Sequence, residues 1–96
     1  SSDLDKLMTE TEKEMQAVQD AAIEKDLQKL DSLTHHLRSS WEVLRADQPL
    51  RELYGLLHGD TLPDGEALSR AVTAVLEKGA EIIRLAEKER RKYEDG

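Results

Sequence analysis

Between Leu68 and Ala86 apolar positions return every three or four residues: Leu68, Val72, Val75, Gly79, Ile82 and Ala86, flanked by Ala71, Leu76 and Ile83. An α-helix, with about 3.6 residues per turn, gathers such a series on one face, whereas a strand would scatter it over both. The stripe predicts one long helix over 63–92. Beyond Ala86 the chain reads EKERRKYEDG, so the last turns are expected to stand in solvent or meet another molecule. Gly79 interrupts the stripe at a cost of about 1 kcal/mol relative to Ala. Close approach of another helix would compensate, with Trp41 the large side chain expected over the gap.

The N-terminal half repeats the same spacing twice. Leu4, Met8, Thr11, Met15, Val18 and Ala22 form one stripe; Ile23, Leu27, Leu30, Leu37, Trp41 and Leu44, with Leu33 beside them, form another. The step of five from Val18 to Ile23 would turn the face of a straight helix by about 140°. A tight turn near Glu24–Asp26, with Asp26 capping the next helix, brings both stripes into one core. No Gly or Pro occurs before Pro49 to mark such a turn, and a single helix of about 65 Å reaching Ala46 is the alternative. Ser2 followed by Asp5 reads as the N-terminal cap of the first helix.

Breakers concentrate in DQPLRELYGLLHGDTLPDGEA, Asp47 to Ala67. Asp47 or Gln48 can cap a short helix with Pro49 in its first turn. Gly59 is expected to end it in the left-handed conformation. Thr61 is expected to cap the long helix, with Pro63 in the first turn and Asp64 three residues on. The predicted helices are therefore about 3–24, 27–46, 49–58 and 63–92, within a single domain over 1–96.

Composition agrees with an all-α chain and limits its core. Phe is absent and the aromatics are Trp41, Tyr54 and Tyr93, too few for a typical β-sandwich. Hydrophobic residues make up 38% and charged residues 36%, against about 45–50% and 25% in ordinary domains. The expected fold is an antiparallel helical bundle, three long helices and a short helical connector, its thin core completed by dimerisation. No apolar run approaches the roughly 20 residues that span a bilayer, and no signal-peptide pattern opens the chain, so a cytoplasmic protein without membrane partners is expected. The chain starts at Ser1 rather than Met, as a processed product or an excised domain would. The net charge of −7 disfavours binding nucleic acid with the whole surface.

Catalytic and metal-binding patterns are weak. Adjacent His35 and His36 point about 100° apart on a helix and cannot share a metal ion. Asp31 and His35 are four residues apart, but a zinc site needs further ligands. His58 fits a helix-end position and could move a proton beside Asp60, yet Ser39, Ser40 and Ser69 supply no activated nucleophile. The run Lys88–Lys92 is broken by Glu89 and suits the negative end of a helix dipole. No enzyme activity, metal or cofactor is expected.

Small size, absence of cysteine and a tryptophan closing the N-terminal helical half resemble the helical-hairpin proteins of type VII secretion, the WXG family. That family has glycine two residues after the tryptophan, where this chain has Val43, and its C-terminal Tyr-x-x-x-Asp/Glu signal is absent. No residue role is carried over.

The apolar residues around the connector, Trp41, Leu50, Leu53, Tyr54, Leu56, Leu57 and Leu62, are the candidate partner-binding site. The expected function is non-catalytic protein–protein association, as an assembly subunit or adaptor and as a homodimer. An export chaperone or small secreted helical hairpin is the alternative, and a nucleic-acid-associated protein a further one.

Overall fold

The computed structural model describes residues 2–95, and they fold as four helices: α1 (Asp3–Ile23), α2 (Leu27–Val43), α3 (Gln48–Leu57) and α4 (Gly65–Asp95). Their starts follow from local chemistry. Ser2 Oγ accepts a hydrogen bond from the Asp5 amide, and Asp26 Oδ1 accepts from the Lys29 amide, so the break between the two N-terminal stripes lies where their change of face required it. α4 begins later than expected. Asp64 Oδ2, not Thr61, accepts from the amide three residues on, that of Ala67; a carboxylate is the stronger cap beside the positive helix end.

The helix ends depart further from the expectation. Gly59 does not adopt a left-handed conformation, and no glycine among the described residues has positive φ. The left-handed positions are Lys25 and Arg45, both with φ 57°. At the end of α1 the Asp26 amide bonds to the Ala21 carbonyl and the Lys25 amide to that of Ala22. At the end of α2 the Ala46 amide bonds to the Trp41 carbonyl and the Arg45 amide to that of Glu42. This paired pattern closes a helix with one left-handed residue, usually glycine. A β-carbon there costs about 1–2 kcal/mol, and each cation partly offsets it by facing the negative end of a helix. The second closure ends α2 at Val43, short of the predicted Ala46.

The helices touch in a ring: α1 against α2, α2 against α3, α3 against α4 and α4 against α1, with no backbone contact across either diagonal among the described residues. The long ion pairs and hydrogen bonds make successive helices antiparallel. Glu14 meets His36, Asp31 meets His58, and Asp5 meets Arg90. This is the up-and-down arrangement of a four-helix bundle. It is elongated, 52 × 23 × 19 Å, because α4 alone runs about 46 Å at 1.5 Å per residue.

One core cluster fills the ring. Met15, Val18 and Ala21 come from α1, Leu30, Leu37 and Trp41 from α2, Leu50 and Leu53 from α3, and Val72, Val75 and Ile82 from α4. Two threonines join them: Thr34 donates its hydroxyl to the Leu30 carbonyl at 2.8 Å, which removes the penalty of burying it. Gly79 is buried against Met15, not Trp41. A β-carbon at Gly79 would collide with Met15 Sδ and Cγ, so the glycine leaves the space that the Met15 side chain fills.

Candidate functional site

The structure divides the seven residues around the connector. Trp41, Leu50 and Leu53 lie in the protein's own core, where a partner could reach them only by opening the bundle. Leu56 and Leu57 pack half-buried against that core. Tyr54 is partly exposed and stacks on His58, ring centroids 4.1 Å apart. Leu62, 84% exposed, stands in the loop before α4. The cavity beside Tyr54, lined also by Thr34, His35, Arg38, Asp47, Leu50 and Arg51, measures about 100 Å³. It falls short of the ~150 Å³ engineered cavity that holds one benzene, so it could admit a side chain but not a helix.

A larger apolar surface lies at the opposite side of the α2–α3 turn. There α2 stops while α1 and α4 continue as a pair. Leu4 and Leu7 of α1, Leu44 and Ala46 after α2, and Ile82, Leu85 and Ala86 of α4 line a groove of about 270 Å³. Leu85 is 59% exposed, and the adjoining Val43 is 82% exposed. Arg45, Lys78, Glu81 and Glu89 form its lip. The sequence pattern misses this groove because Leu4 and Leu44 belong to stripes that read as core. Leu44 loses its cover only because α2 ends before it. Leu85 sits one residue short of the buried Ala86, on the flank of the α4 stripe.

The histidines tie helices together. His36 Nε2 lies 3.0 Å from Glu14 Oε2, joining α2 to α1. His58 Nε2 lies 2.7 Å from Asp31 Oδ1, joining the end of α3 to α2. Asp31 therefore pairs with His58 rather than with His35, and His58 with Asp31 rather than with Asp60. Burial raises the Glu14 pKa, opposed by His36. Among the described residues no three His, Cys, Asp or Glu side chains converge as metal ligands, and no helix is long and apolar enough to cross a membrane.

The basic run near the C-terminal end of α4 is mostly paired. Arg90 Nη1 donates to Asp5 Oδ1 at 3.0 Å and Nη2 to Glu87 Oε1 at 2.9 Å. Arg91 also reaches Glu87, and Lys92 reaches Glu89. Arg90 thus ties α4 to the start of α1, while residues 91–94 beyond it are exposed, as expected for the last turns. The bond from Arg90 lowers the Asp5 pKa below its ordinary 3.8, as Arg51 does for Asp47. A depressed carboxylate stabilises the fold above its ordinary pKa and loses that contribution as pH falls through the lower folded value. Asp5→Asn is accordingly expected to lower the melting temperature at pH 7 and to leave it nearly unchanged at pH 2. An equal loss at both pH values would show that charge is not the source.

No protein-family model, curated protein or solved structure matches the chain. The four-helix bundle and the groove therefore carry the functional argument without support from relatives.

Proposed function

We propose that the protein is non-catalytic and acts by protein–protein association, and that the groove between α1, α4 and the end of α2 is where it associates. The observation that carries this reading is the apolar lining of half-buried Leu4 and Leu7 and exposed Leu44 and Leu85 at the edge of the core. Contiguous apolar surface rimmed by charge is how association sites differ from scattered exposed leucines. An apolar face with a charged lip is the chemistry that receives one face of an amphipathic helix. Tyr54 and Leu62 do not line this groove.

A photo-crosslinking amino acid at position 85 tests the reading. It should yield a covalent protein adduct in cells. The adduct should disappear when Leu44 is also replaced by Glu, and the same probe at the exposed position 12 on α1 should give none. Absence of any adduct at 85, or an equal adduct at 12, would remove the groove as an association site.

A further inference from the structure

We infer that the occupant of the groove is a second copy of this chain, docked about a twofold axis with Arg45 of each copy against Glu89 of the other. This rests on the association reading above and adds the identity of the partner.

The lip supplies the argument. It carries two cations, Arg45 and Lys78, and two carboxylates, Glu81 and Glu89. A groove built for a basic peptide would be rimmed by carboxylates, and one for an acidic peptide or nucleic acid by cations. A rim of both signs is matched by a surface that itself bears both. The groove presented to its own copy meets that requirement, because a twofold contact sets residue i on j and j on i.

Lys78 and Glu81 already pair with each other at 3.0 Å. Arg45 is different. Unlike Arg38, Arg51 and Arg90, it enters no ion pair of its own chain among the described residues. It also occupies a left-handed position, φ 57°, where glycine would be free of strain. The fold therefore carries an unpaired guanidinium at a strained turn beside an apolar bed. An Arg–carboxylate contact across a partly dehydrated interface gives that side chain a partner and fixes register.

At the lip itself two cations balance two carboxylates, although α1, which lines the groove through Leu4 and Leu7, is acidic. α1 holds six acidic and two basic residues, and so carries much of the surplus behind the net charge of −7. α4, which supplies much of the groove, holds seven of each, and α2 holds two of each. The groove also lies where the bundle narrows to the α1–α4 pair, so two such ends together would restore four helices around one core.

Sedimentation equilibrium of the full chain from micromolar to millimolar concentration provides the test. Wild type should show a monomer–dimer equilibrium, and Leu85→Glu should shift it to monomer while circular dichroism shows the same helix content. Arg45→Glu and Glu89→Arg should each weaken the dimer by about tenfold or more, the scale of a charge pair turned to repulsion. The double variant R45E/E89R should recover it, as should an equimolar mixture of the two single variants, since a twofold contact then places opposite charges together at both lips. A wild type that stays monomeric throughout, or a dimer that the exchange does not restore, overturns the inference. If the monomer still gives the adduct at position 85 with a different protein, only the second copy is wrong. If no adduct forms, the association site itself is wrong.

Discussion

Trp41→Ala is expected to cost about 3–5 kcal/mol, the range for truncating a large buried aromatic. The side chain is 2% exposed and belongs to the same cluster as Leu37, Leu50 and Leu53. Its backbone carbonyl also accepts the Ala46 amide that closes α2, so the indole packs where the chain reverses into α3. Ala46 is buried in that cluster too, and collapse around an alanine at 41 would have to move the turn. A domain of this size has only about 5–15 kcal/mol in total. Each kcal/mol shifts its melting temperature by about 4–8 °C, so thermal melts should fall by on the order of 20 °C. An unchanged melt would show that Trp41 is not core.

Gly79→Leu is expected to destabilise next most strongly, by about 1–3 kcal/mol from overpacking. Two effects oppose each other. Leucine in a helix interior is favoured over glycine by a little under 1 kcal/mol, which would stabilise α4 in isolation. Against this, even a β-carbon meets Met15 Sδ and Cγ, and the rest of the leucine has nowhere to go while α1 stays at its present distance. The steric term wins because Met15 is itself buried and has little room to move aside. Met15→Ala in the same chain should recover much of the loss by vacating the space, a coupling measurable by a double-mutant cycle in urea. If Gly79→Leu alone melts at or above the wild-type temperature, α1 and α4 do not meet through this pair.

What could be read from the sequence was decided by how local each determinant is. The phase jump between Val18 and Ile23, with Asp26 to cap, located the α1–α2 turn although no glycine stands there. Ser2 and Asp5 marked the first cap correctly. The left-handed residues were not legible, because Lys25 and Arg45 carry no conformational signature, while Gly59 carries one that the structure does not use. Thr61 and Asp64 both resemble caps, and only the amide of Ala67 distinguishes them.

The groove was harder still. Leu4, Leu44 and Leu85 have the same spacing to their neighbours as core residues do. The exposure of Leu44 and Leu85, and the half-burial of Leu4, accompany the end of α2 before α1 and α4, a difference in length that no single stripe records. The pairing of His58 with Asp31 across 27 residues, and of Arg90 with Asp5 across 85, likewise depends on which helices become neighbours. Their sequence neighbourhoods instead suggested Asp60 and solvent.

The ring of contacts also separates local seams from one long-range seam. α1 with α2, α2 with α3 and α3 with α4 are contacts between consecutive helices, whereas the α1–α4 seam joins opposite ends of the chain. Loop closure grows only with the logarithm of length, so extending a contact from 27 to 85 residues of separation adds about 1 kcal/mol. The α1–α4 seam therefore closes at little extra entropic cost. Since α4 then contacts both α3 and α1, its docking converts two open hairpins into a closed circuit in which no helix can leave without breaking two seams.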